Sequence, residues 1–147
     1  MSTVLANYNG DVIAWANEQA QLLRAGQFSQ LDIEHIADEI EDVGRSEQRE
    51  LASRMTVLIA HLLKWRYQPE RKGNSWRLTT EAQREDTAYV LKKMPSLKQN
   101  LNDDQWLSII WKKAKAQAIA ETGLENLPDD YPWTMDQILN PDFWPEA

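Results

Sequence analysis

Residues 32–67 read DIEHIADEIEDVGRSEQRELASRMTVLIAHLLKWRY. At 100° per residue, Ile33, Ala37, Ile40, Gly44, Leu51, Met55, Leu58, Leu62 and Trp65 fall within about 40° of one line. The stripe keeps its phase across Gly44, which two separate helices would have no reason to do. The pattern predicts one long helix from about Asp32 to Tyr67. Asp32 serves as N-cap with Leu31 as the apolar residue before it, Gly44 offers a bend, and Pro69 ends the helix. Its first half is amphipathic. From Met55 to Trp65 it is apolar on most sides, as the buried centre of a bundle is.

Upstream, a helix is predicted from about Gly10 to Ala25, with Asn9 or Asp11 near its cap, Val12, Trp15, Ala16, Leu22 and Leu23 on its apolar side, and Gly26 as its end. Downstream, Lys72-Gly73-Asn74-Ser75 reads as a turn, and Asn74 or Ser75 as the cap of a third helix running to about Met94. Pro95 ends that helix and starts a fourth. The fourth is patterned on Leu107, Ile110, Trp111, Ala114 and Ala118 and stops at Gly123. Asn102-Asp103-Asp104 offers an internal cap that would leave Ser96–Leu101 as a separate turn. Beyond Gly123, Pro128, Pro132, Pro141 and Pro145 interleave with Tyr131, Trp133, Phe143 and Trp144. Prolines forbid a long helix there, though Thr134 can cap a short one to Leu139, and the rings are too large to leave in water. The expected fold is all-α: a single all-helical domain over 1–147, a bundle of four main helices built around one long central helix, closed by a Pro/aromatic-rich tail.

With 147 residues and no cysteine, the chain can bury a real core without disulfides, and it has no thiolate metal site or cysteine nucleophile. No apolar run approaches the roughly 18 residues of a membrane span, and the N-terminus shows no signal-peptide pattern. A soluble, cytoplasmic protein with no membrane partner is expected. The net charge of −7 is uneven. Residues 1–50 carry 3 Lys/Arg against 10 Asp/Glu, residues 51–100 carry 10 against 4, and residues 101–147 carry 3 against 9. Either the segments neutralise one another, or the basic middle is a patch for a phosphate-bearing partner.

The run Glu39-Ile40-Glu41-Asp42-Val43-Gly44-Arg45-Ser46-Glu47, then His61-Leu62-Leu63-Lys64-Trp65-Arg66-Tyr67-Gln68-Pro69-Glu70, Ser75-Trp76, Glu121-Thr122-Gly123-Leu124 and Asp142-Phe143-Trp144-Pro145 together resemble the bacterial proteins grouped as domain of unknown function 29. The resemblance covers nearly the whole chain in five ordered motifs. It implies a small, all-helical, stand-alone bacterial protein, and it carries over no catalytic or binding residue.

Three candidate sites follow from the residues. His35 and Glu39, four apart on one helix, have the spacing of a metal-binding pair, but their side lies about 180° from the Ile33/Ile40 line, where solvent is expected, and no third histidine exists. Glu50, Arg54 and His61 lie just off the stripe. Thr80, Gln83 and Thr87 form a matching polar line on the third helix, so the two lines can form a hydrogen-bonded network or a polar pocket in which His61 acts as acid, base or ligand. Between Lys64 and Arg77, the residues Lys64, Arg66, Tyr67, Arg71, Lys72, Trp76 and Arg77 alternate cations with rings, as a single-stranded nucleic-acid site does. The overall acidity opposes a polyanion, and Trp65 is directed to the core. Seven tryptophans in so small a chain point to aromatic interface surface as well as core. The preferred function is a non-catalytic protein-interaction module that binds a basic protein partner or a second copy, with no cofactor. Nucleic-acid binding through 64–77 is the alternative, and an enzyme using His61 or the His35/Glu39 pair comes third.

Overall fold

In the computed structural model residues 5–146 are described, and among them every regular element is helical. Asp11 caps α1 (Val12–Arg24), its carboxylate accepting from the Ala14 N–H at 3.1 Å. Helix α2 (Ile33–Tyr67) runs for 35 residues without a break at Gly44, as the in-phase stripe predicts. It is followed by a 3-10 turn at Pro69–Arg71 and by α3 (Asn74–Lys93). Neither Asn74 nor Ser75 caps α3. Asn74 already lies inside the helix, with its side-chain oxygen accepting from Arg77 at 3.2 Å, and Gly73 precedes it without a side-chain cap. Pro95–Asn102 forms a 3-10 segment, and α4 (Asp104–Thr122) begins only after Asp103, whose carboxylate accepts from the Gln105 and Trp106 N–H groups. The internal cap is therefore the true start. Gly123 ends α4 in the left-handed region at φ 73, its N–H returning to the Ile119 carbonyl at 2.7 Å. Thr134 and Gln137 form a reciprocal capping box on α5 (Met135–Leu139).

The described residues divide into two compact units at the Ser46/Glu47 boundary. The first holds α1 and the opening turns of α2. Trp15 and Gln19 of α1 are its buried side chains, and both reach Asp32: the Trp15 indole N–H donates to its carboxylate at 2.9 Å, and the Gln19 side-chain oxygen accepts its backbone N–H at 2.8 Å. The apolar stripe is not a core here. Ile33 and Ile40 are 67% exposed and Val43 66%. Within this unit α1 is the helix available to cover them, and its buried residues are spent on the Asp32 end.

In the second unit the stripe is a core. Leu51, Met55, Leu58, Ile59, Leu62 and Leu63 of α2 are fully buried against Leu91 of α3 and Ile110, Trp111, Ala114 and Ala118 of α4. The two alanines let α4 come close, and each buried leucine contributes about 1.5–3 kcal/mol of transfer free energy. The tail is anchored by its rings and by Ile138. Trp111 donates through its indole N–H to the Asp129 carbonyl at 3.0 Å, Tyr131 OH donates to the Leu107 carbonyl at 2.7 Å, and Ile138 is fully buried. Among the described residues no helix is long and apolar enough to cross a membrane.

Candidate functional site

Helix α2 places His35 and Glu39 one turn apart, and in the first unit Tyr8 joins them. Its ring stacks on His35 at 4.1 Å, its hydroxyl donates to Glu39 at 2.5 Å, and Trp15 meets it edge-on at 4.7 Å. His35 Nδ1 pairs with the Asp32 carboxylate at 2.7 Å. The hydrogen bond to Glu39 and the surrounding acids push the Tyr8 hydroxyl up to about 12, and the His35 contact, with that from Trp15, lowers the Asp32 carboxyl. The side expected to face solvent is thus occupied by an aromatic cluster. Among the described residues no three His, Asp or Glu side chains group closely enough to hold a metal ion. Tyr8 sits outside every periodic segment, so only the structure reveals this cluster.

Between the same two helices lies a groove of about 320 Å³, and Trp15 and Glu39 of the cluster also line it. Val12, Ala16 and Leu23 of α1 line one wall, and Ile36, Glu39, Ile40 and Val43 of α2 the other. Val12 and Leu23 are exposed large hydrophobics, as Ile40 and Val43 are. A contiguous apolar surface with so many large side chains in water marks an interaction site far more often than does a scattered residue.

In the second unit the polar line of α3 does not close with that of α2. Arg54 pairs with Glu50 at 3.1 Å and with Asp86 at 3.0 Å. Thr80 donates to the Trp76 carbonyl at 2.8 Å, and His61 Nδ1 lies 2.9 Å from the Val57 carbonyl. The Thr80 hydroxyl and the His61 ring are therefore each satisfied on their own helix, and among the described residues the one link between the two helices here is the Arg54–Asp86 ion pair. Gln83 Oε1 and Thr87 Oγ1 are buried without a hydrogen-bond partner among the described residues. A carbonyl can only accept, so His61 Nδ1 carries the proton of this bond, and burial lowers the pKa of the ring. The charge of Lys64 lowers it further and that of Glu121 opposes the shift.

The basic and aromatic residues of 64–77 are largely engaged with one another and with acids. Lys64 is 4% exposed, ion-paired with Glu121 and 5.2 Å from the Trp76 ring. Its hydrogen bond holds the Glu121 carboxyl below the usual range. Lys72 lies 5.0 Å from the Trp65 ring and 3.4 Å from Glu146. Arg66 lies over Tyr67 and Arg77 pairs with Glu81. Arg71 is exposed in the Pro69–Arg71 turn. Trp65 is partly buried and tilts against Trp144 at 4.5 Å.

No curated protein matches the chain. A crystal structure of an alpha-helical protein of unknown function from Rhodospirillum rubrum is similar, at 28% identity and a TM-score of 0.58, over 94% of this chain and 92% of that one. The family model described as Domain of unknown function DUF29 matches residues 7–144, the aromatic cluster, the groove and the core of the second unit all inside it, and the chain belongs to that family.

Proposed function

We propose that the chain is a non-catalytic protein-interaction module that seats a basic protein partner in the groove between α1 and the first turns of α2. The observation that carries this reading is the exposure of Ile40 and Val43 on a groove wall. The occupant follows from charge. Residues 1–46 contain two Lys/Arg against eight Asp/Glu. A second copy of the same surface would bring like charge to like charge, whereas a helix with apolar knobs and a basic flank meets both the groove and its field.

The test is pull-down from host extract with wild type and with Ile40→Asp/Val43→Asp, at low and high salt, followed by photo-crosslinking from position 40. A basic protein crosslinked at position 40, lost in the variant and weakened by salt, is the expected result. Capture that the variant leaves unchanged would refute the reading, as would a stable homodimer in light scattering that the same substitutions dissolve.

A further inference from the structure

Arg84, midway along α3, is 4% exposed. Its Nε–H donates to the Ile138 carbonyl at 2.9 Å, and its guanidinium lies 5.3 Å from the Trp144 ring. Nη1 and Nη2 are buried and have no hydrogen-bond partner among the described residues. A guanidinium carries five N–H donors in a fixed fork, and here one of them is used. Leaving the rest unpaired out of water is the expensive arrangement, because buried charge is normally paired and fully hydrogen-bonded. Arg84 also lines a cavity of about 340 Å³, together with Glu81, Glu85, Ala88, Leu139 and Pro141. Glu81 pairs with Arg77 at 3.1 Å. Glu85 is exposed, and its side chain has no hydrogen bond or ion pair to another described residue.

We propose that this cavity binds a small aliphatic zwitterion of the free α-amino acid class. The carboxylate takes the Nη edge of Arg84 as a bidentate pair, the ammonium lies against Glu85, and the aliphatic body rests on Ala88, Leu139 and Pro141. The mixed lining dictates the class. A simple anion would meet Glu81 and Glu85, and a simple cation would meet Arg84. A molecule with both charges and a short apolar body answers all of them. Because the Nη atoms are shut off from solvent, the carboxylate enters as the guanidinium turns toward the cavity or the residues after α5 shift. Either movement disturbs Trp144, which packs on Arg84 and on Trp65. Binding therefore changes tryptophan emission.

Calorimetry and fluorescence titration of the whole chain with L-leucine, 4-methylpentanoate, isoamylamine and inorganic phosphate test the assignment. Leucine is expected to bind saturably with an emission change that Trp144→Phe removes, and each singly charged probe at least about tenfold more weakly. Glu85→Gln, at an exposed position, weakens leucine about tenfold without moving Tm and leaves 4-methylpentanoate unaffected. Arg84→Met abolishes binding, and if that variant does not fold, Glu85→Gln decides alone. No heat and no emission change with any probe up to about 10 mM would overturn the proposal. So would equal affinity for leucine and 4-methylpentanoate, phosphate binding tighter than leucine, or leucine binding unchanged in Glu85→Gln.

Discussion

Replacing Glu121 by Met strands the ammonium of Lys64, which is 4% exposed and keeps, among the described residues, only the face of Trp76. Breaking a buried ion pair from one side costs about 3–5 kcal/mol. The remaining cation–π contact is worth about 0.5–2 kcal/mol, and Glu121 itself is 43% exposed, which lets water reach the vacated side. The net cost expected for Glu121→Met is therefore about 2–3 kcal/mol. Lys64→Met leaves a carboxylate already half in water and should cost under about 1 kcal/mol, and the double variant should lie close to Lys64→Met. Urea unfolding followed by tryptophan emission and far-UV circular dichroism gives the three values, and the coupling term of the cycle isolates the pair. The pH course supplies a second check. The Glu121 carboxyl is depressed in the folded chain, so its contribution is present above the ordinary glutamate range and lost as pH falls through and below it. The reasoning fails if Glu121→Met costs no more than an exposed i,i+4 pair, or if Lys64→Met is the more damaging substitution.

His61 supplies a prediction of the same sign from a different cause. Burial lowers its pKa, so the unfolded chain takes up a proton that the folded chain refuses, and stability declines as pH falls below about 6.5; His61→Gln should flatten that slope in urea midpoints measured from pH 7.5 to 5. Leu58→Ala empties a fully buried position between α2 and its neighbours and should cost about 2–5 kcal/mol, which at this chain length lowers Tm by roughly 2–4 °C per kcal/mol in calorimetry. Gly123→Ala places a side chain at φ 73 where nothing lies within 4 Å of the new Cβ, so strain alone should cost about 1–2 kcal/mol in chemical denaturation.

Continuity of α2 was legible because phase is a local property: nine positions on one line require no knowledge of what lies beside them. The Asp103 cap and the Thr134 cap were legible for the same reason, since their chemistry is complete within a few residues. Phase names a greasy ridge without naming its cover, and so Leu58 and Ile40 look alike in the sequence although one is fully buried and the other 67% exposed. The sites depend on non-local contacts. Tyr8 reaches Glu39 across 31 residues, and Arg84 is roofed by a carbonyl 54 residues away. In the sequence Arg84 is one of ten cations in the basic middle segment, and nothing in its neighbours distinguishes it from the solvated ones.

Two side chains of α1 grip the single residue that opens α2, Trp15 by its indole N–H and Gln19 by its amide oxygen. Helix α1 has 13 residues, and the portion of α2 in the first unit, Ile33–Ser46, has 14, lengths at which an isolated helix is marginal in water. During synthesis a nascent chain that has emerged only as far as Gly26 has nothing to latch onto and should remain a fluctuating coil. Order arrives once Asp32 clears the ribosome and the clasp can shut, so this hairpin should fold in one step rather than helix by helix.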